Sequence, residues 1–183
     1  MPSNVEIKAK VRDMKAVEEI ASKLSDEPKK ILLQEDTFFN VKNGRLKLRQ
    51  EQADGLSSAE LIYYDRPDKE GPKTSYYHKT DISQPEDLKT TLSYACDVRG
   101  RVKKRRILYM VGQTRVHLDK VEGLGDFMEL EVKMKEDQPT EEGQMIAEDL
   151  MNKLGIEKSD LINCAYQDLL VKQKLQKPKQ TTV

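Results

Sequence analysis

Thr114-Arg115-Val116-His117-Leu118-Asp119-Lys120-Val121 is followed by Glu122-Gly123-Leu124-Gly125 and then by Asp126-Phe127-Met128-Glu129-Leu130-Glu131-Val132-Lys133-Met134. Both arms alternate with a period of two, which makes each a strand. Gly123-Leu124-Gly125 is a tight connection between them. Val116 and Leu118 face one way; Arg115, His117 and Asp119 face the other. Glu129, Glu131 and Lys133 share the polar face of the second strand. An ordinary half-buried strand mixes Ser, Thr and Lys on its wet side. Here the polar faces are almost purely ionic.

The same pattern recurs outward from this hairpin. In 4–12, Val5, Ile7, Ala9 and Val11 alternate with Asn4, Glu6, Lys8, Lys10 and Arg12. Arg45-Leu46-Lys47-Leu48-Arg49 places three bases on one face. Further strands are expected at 34–39, 44–50, 59–65, 74–82 and 102–111, the last joined to 114–121 through Gly112-Gln113. Six of the eight residues Arg99–Arg106 are basic, and alternation does not choose between Lys104/Arg106 and Lys103/Arg105 for the inner face. Four helices are expected. Asp13 caps the first, striped by Met14, Val17, Ile20, Ala21 and Leu24. Pro85 opens the second, with Leu88, Leu92 and Ala95. Thr140–Leu154 is the third, stopped by Gly155. Ser159–Val171 is the fourth, with Leu161, Ile162, Ala165, Tyr166, Leu169 and Leu170 as its apolar side. About eight strands, mostly linked by short turns, make an α+β protein around one antiparallel sheet.

If that sheet lies open, the ionic stripes are solvated surface. If it curls, they line a lumen, and the apolar faces point outward under the amphipathic helices. Three bases in a row repel unless an anion lies above them, and Glu129 with Glu131 calls for a cation. Taken jointly, the stripes favour an antiparallel β-barrel tunnel with a charged interior and helices outside.

The 183 residues suit one domain, expected over 1–171, with a Lys-rich, solvated tail at 172–183. The 32 basic and 32 acidic residues cancel, which argues against coating nucleic acid by bulk charge. No apolar run suits a membrane span, no secretory leader is visible, and two cysteines make no disulfide scaffold, so a cytoplasmic protein is expected. Cys96 and Cys164 read as small apolar residues. A basic wall beside an acidic cluster suits a polyphosphate, which needs several Arg or Lys donors and brings a divalent metal to carboxylates. No Walker A or GxGxxG loop occurs, so side chains must hold the phosphates.

Asn4-x-Glu6-x-Lys8 resembles the ExExK signature of the CYTH superfamily, the triphosphate tunnel metalloenzymes. The run from Arg115 to Glu131 resembles that family's C-terminal signature, closest to the class IV adenylate cyclase (CyaB-like) branch. Gly44–Arg49 and Val102-x-Lys104-x-Arg106 resemble its basic strands. The likeness spans residue 4 to about 170. It implies an eight-stranded antiparallel tunnel that binds a triphosphate with Mg²⁺ or Mn²⁺. It implies Glu6, Lys8 and Asp119 in catalysis, and Glu6, Asp119, Glu129 and Glu131 at the metal. Lys8, Lys10, Arg45, Lys47, Arg49, Arg66, Lys104, Arg106 and Arg115 are implied on the phosphates. Asn4 departs from the first glutamate: its amide can ligate a hard cation but brings no charge. Tyr64 stands near where many hydrolases carry a phosphate-binding lysine, with Arg66 close by to compensate. His117 is expected as a hydrogen-bond partner, Tyr166 as a packing residue whose hydroxyl reaches toward the tunnel.

The expected activity is metal-dependent hydrolysis of inorganic triphosphate, thiamine triphosphate or a nucleoside triphosphate. The alternatives are conversion of ATP to cyclic AMP and pyrophosphate, or binding of a polyphosphate or phosphorylated RNA end without turnover. Expected partners are the triphosphate itself, no membrane, nucleic acid only through a phosphorylated end, and at most a second copy of the chain.

Overall fold

A computed structural model describes residues 1–176. Eight strands close into a barrel: β1 (Ser3–Lys10), β2 (Lys30–Phe39), β3 (Arg45–Ala53), β4 (Leu56–Asp65), β5 (Lys73–Asp81), β6 (Val98–Val111), β7 (Thr114–Val121) and β8 (Gly125–Lys133). The order around the barrel is β1-β5-β4-β3-β2-β6-β7-β8, and β8 returns to β1. Every pair is antiparallel, so no sheet edge is left open. Four α-helices accompany it: α1 (Met14–Leu24), α2 (Pro85–Cys96), α3 (Thr140–Lys153) and α4 (Tyr166–Gln176). The expected strands and their alternation are all present. Among the described residues no helix is long and apolar enough to cross a membrane.

The main core lies outside the barrel wall. Val5, Ile7 and Ala9 of β1, Val116 and Leu118 of β7, and Met128, Leu130 and Val132 of β8 point outward into α1 and α3. The Asp13 side chain accepts the Ala16 N–H and starts α1, which buries Val17 and Ala21. α3 lies so close that a Cβ on Gly143 would meet Val5 Cγ2 at 2.8 Å. Burying these faces outward leaves the opposite, charged set of each strand inside.

Two helices depart from the expected clean apolar stripe. α2 buries no residue: Leu88 and Leu92 are half-buried and Ala95 is exposed. The stretch expected as one helix over 159–171 is broken. Lys158–Asp160 is a single 3₁₀ turn, Leu161 pairs with Ala9, and the Ile162 N–H donates to the Lys8 carbonyl. Leu161 and Ile162 thus serve the end of β1 as an extended segment. Helix begins only at Tyr166, where the Asp168 carboxylate accepts the Ala165 N–H.

α4 is not packed on the outer wall. Its first residues enter one barrel end, where Tyr166 packs with Phe38, Ile62, Tyr64, Val102, Val121 and Phe127. Gln167 donates to the Arg99 carbonyl and lies on Gly100, where no side chain would fit. One end of the tunnel is therefore floored by an apolar plug. The helix continues to Gln176, into the stretch 172–183 expected as a tail; residues 177–183 of that stretch lie outside the described residues.

Candidate functional site

The barrel interior holds a cavity of about 360 Å³. Eight Lys or Arg and seven Asp or Glu line it, so its formal charge nearly cancels and the arrangement of signs becomes decisive. Strand register supplies that arrangement. On one side Glu6 stands opposite Glu131 and Lys8 opposite Glu129 across β1 and β8. Arg115 stands opposite Glu131 and His117 opposite Glu129 across β7 and β8. On the other side β3 contributes Lys47 and Arg49 and β6 contributes Lys104, while Arg106 of β6 turns to the carboxylates. The ambiguity within Arg99–Arg106 is resolved: Lys104 and Arg106 are buried in the lumen, while Lys103 and Arg105 are exposed outside.

The carboxylate side is tightly wired. Arg106 donates Nε to Asp119 Oδ1 and Nη2 to Asp119 Oδ2, each at 2.7 Å, and Nη2 also reaches Glu129 Oε2 at 2.8 Å. The Tyr166 hydroxyl donates to Asp119 Oδ2 at 2.7 Å. Arg66 Nη1 donates to Glu6 Oε2 at 2.7 Å. Arg115 Nε lies 3.1 Å from Glu131 Oε2 without directing its hydrogen at it. Lys8 Nζ sits 4.3 Å above the Tyr166 ring, a cation–π contact, and 4.0 Å from Glu129 Oε1.

Burial and charge set the protonation states. Burial pushes Glu129 up, but Lys8, Arg106 and Arg66 together hold it well below the usual carboxylate range. Burial also raises Glu131, and His117 and Arg115 offset it, leaving it below its ordinary value. Glu6 differs: burial wins over Arg66, and Glu129 and Glu131 add to the rise. Burial, then the Arg106 charge, lowers His117 to about 4, so its imidazole is neutral near pH 7.

His117, Glu129 and Glu131 each offer a ligand atom within 4.8 Å of the others. His117 Nδ1 is buried without a hydrogen-bond partner, and so is the Asn4 amide oxygen. A lone pair on neutral imidazole beside two ionised carboxylates is a donor set for a divalent cation. The residues present therefore fit a metal.

The expected residues divide into three groups. Glu6, Lys8, Lys47, Arg49, Arg66, Lys104, Arg106, Arg115, Glu129 and Glu131 all meet in the cavity. Arg66, which the sequence left near the rim, is inside. Lys10 and Arg45 are not brought in: Lys10 ends β1 exposed, and Arg45 is held by Asp68 at 2.6 and 2.7 Å in a separate small cavity beside the start of α4. Asp119 is buried and is not among the cavity-lining residues; Arg106 bonds both its oxygens and Tyr166 bonds Oδ2, contacts with which a metal would have to compete. Tyr64 lines the lumen beneath Lys47, 5.4 Å from its ring, and Arg66, 5.6 Å away.

Two participants were passed over in the sequence. His117 shares parity with Arg115, which puts it on the inner face, and the strand register then sets it opposite Glu129. Asp36 received no role, although it shares parity with Gln34 and Phe38. It accepts from Arg49 at 2.7 and 2.8 Å, Lys47 at 3.1 Å and Lys104 at 3.2 Å.

A closed antiparallel barrel lined inside by interleaved cations and carboxylates defines a charged-tunnel protein. The chain belongs to the CYTH family: the CYTH domain profile matches residues 3–166. That family binds triphosphates in such tunnels, depends on metal, and includes triphosphatases and adenylate cyclases. The chain is 30% identical over 90 residues to adenylate cyclase CyaB of Aeromonas hydrophila, covering 49% of this chain and 46% of the relative, so the match spans under half of either protein. Its fold is similar to PH1819 of Pyrococcus horikoshii, with TM-score 0.79, 23% identity and coverage of 93% and 99%. It is also similar to HpAC1 of Hippeastrum, described as an adenylyl cyclase with a dominant triphosphatase activity, with TM-score 0.61, 14% identity and full coverage of both chains.

Proposed function

We propose that this chain hydrolyses a triphosphate held along the basic side of the tunnel, in a reaction dependent on Mg²⁺ or Mn²⁺. The observation that supports it most is the unpartnered His117 Nδ1 beside Glu129 and Glu131, in the same cavity as the Lys47, Arg49 and Lys104 cations. Lys8, Lys47, Arg49, Arg66, Lys104, Arg106 and Arg115 bind phosphate oxygens, each charged hydrogen bond contributing about 1.5–3 kcal/mol. Glu129, Glu131 and His117 would hold the metal, and Asn4 would offer a neutral oxygen from β1. A bound divalent ion would neutralise phosphate charge and polarise the phosphorus. Glu6, the carboxyl raised by burial, is suited to take the proton from attacking water. Asp119 orients Arg106, and through it the transferred phosphoryl group. Positioning and electrostatics then carry most of the barrier reduction.

A second reading, cyclisation of ATP with release of pyrophosphate, is favoured by the partial match to CyaB. In that case a ribose hydroxyl replaces water and attacks the α-phosphorus. A panel of inorganic triphosphate, thiamine triphosphate and nucleoside triphosphates with each metal, read for phosphate, pyrophosphate and cyclic AMP, separates the two. We expect phosphate release. Cyclic AMP with equimolar pyrophosphate transfers the assignment to the cyclase, and binding without turnover removes catalysis altogether.

A pH dependence follows from the basic wall. Burial, reinforced by Arg49 and opposed by Asp36, lowers Lys47 to about 7. Burial lowers Lys104 to about 8, with Asp36 opposing it. As pH rises through this window both lysines lose their charge, so triphosphate affinity is expected to fall. Calorimetric titration across the range checks it. Lys47→Arg, which stays charged, should show a shallower fall. An equally steep fall would take Lys47 off the phosphate wall.

A further inference from the structure

Asp36 is buried at 1% exposure, yet it faces the lumen from the middle of β2. Three cations converge on it from two neighbouring strands: Lys47 and Arg49 from β3, Lys104 from β6. Register explains why. Asp36 stands directly opposite Arg49, and Lys104 is paired with Gln34, two residues along the same face. Arg49 grips both carboxylate oxygens through Nε and Nη2, which fixes the guanidinium plane. Each lysine spends one contact here and keeps other protons for the cavity.

Three cations packed this closely in a buried site repel one another strongly unless an anion lies among them. Among the described residues no other acid touches all three. We infer that Asp36 is a positioning residue for the phosphate wall: it is the protein's own counter-anion, holding Lys47, Arg49 and Lys104 in place and capping the charge they present to a ligand. This rests on the triphosphate reading above. An incoming polyphosphate supplies the same three cations with further oxygens. Asp36 and ligand are therefore alternative sources of the same stabilisation. The carboxylate thus tempers the wall: a bare polyanion still binds these cations, but more weakly than it would without Asp36.

Linkage makes this testable. Asp36→Asn keeps the shape and removes the charge. Without ligand, the variant should melt below the parent protein. With saturating inorganic triphosphate and no metal, much of that loss should be recovered. The triphosphate-induced rise in melting temperature should then exceed the parent's by about 4 °C or more, for a chain of this size. Metal-free triphosphate should bind the variant about ten-fold tighter. A purely structural role predicts the same loss with and without ligand, so an equal or smaller ligand-induced rise in the folded variant overturns the inference. If Asp36→Asn does not fold alone, refolding with and without triphosphate decides. Recovery only with triphosphate supports the inference, and no recovery in either overturns it. The parent protein is the control for the underlying reading: if triphosphate does not shift its melting temperature, the reading of the tunnel fails first.

Discussion

Glu131→Gln is expected to lower metal-dependent phosphate release by about 10³-fold, the scale of several kcal/mol lost from transition-state charge stabilisation. Glu131 is the better of the two acids to test. Glu129 also accepts from Arg106, so its loss would disturb a buried ion pair and mix stability with catalysis. Glu131 is partly open to the cavity, and its contacts are loose: Arg115 at 3.1 Å without an aligned hydrogen, and His117 Nδ1 at 3.9 Å. Glutamine keeps the volume and one oxygen but not the charge that holds a divalent ion. Triphosphate binding measured without metal should persist, because the basic wall lies on β3 and β6 and is untouched. Full turnover in Glu131→Gln would remove the acidic pair from the metal site.

Most of the fold was legible because the barrel is inverted. Apolar residues on outward faces and ionic residues on inward faces give each strand an unusually clean period of two, as in Val5, Ile7, Ala9 against Asn4, Glu6, Lys8. Closure was inferred from charge repulsion rather than from any local signal. The α4 region was not legible by the same logic. Leu161, Ile162, Ala165, Tyr166 and Leu169 satisfy a helical stripe, but Leu161 and Ile162 bond to β1 and only the later residues are helical. A tertiary hydrogen bond overrode the local pattern. At the site, residue types and parity located the cations and acids, but parity says nothing about which charges pair across strands. The resemblance implies Asp119 at the metal. Only the closed barrel brings Arg106 and Tyr166 onto both its oxygens. Asp36, between Glu35 and Thr37, carries no charge pattern of its own; its meaning comes from three strands meeting.

Asp119→Asn is expected to produce the largest loss of stability among single changes in the tunnel, about 3–5 kcal/mol, the cost of breaking a buried ion pair by removing one partner. Asp119 has no exposed surface, and its two oxygens receive three hydrogen bonds. Asparagine keeps one acceptor but turns an N–H toward Arg106, leaving Glu129 as the one anion bonded to that guanidinium among the described residues. For a chain of this length the loss should lower the melting temperature by about 6–20 °C, read by thermal or urea unfolding. The sign with pH is fixed by the shift. Burial opposes ionisation of Asp119, but Arg106 and its hydrogen bonds hold the carboxyl below its ordinary value of 3.8. Its contribution is therefore present above that value and is lost as pH falls through the lower, folded one. The gap between parent and variant should narrow on acidification through and below pH 3.8; a constant gap would mean that charge is not what Asp119 contributes. Tyr166→Phe separates the plug from the ion pair. It removes only the hydroxyl bond to Asp119, a cost of about 1 kcal/mol. The double variant should lose less than the two single losses combined, because both delete the same contact between α4 and the barrel interior. Strict additivity would show that α4 holds the tunnel floor through its apolar packing alone, with Asp119 serving Arg106 and nothing else.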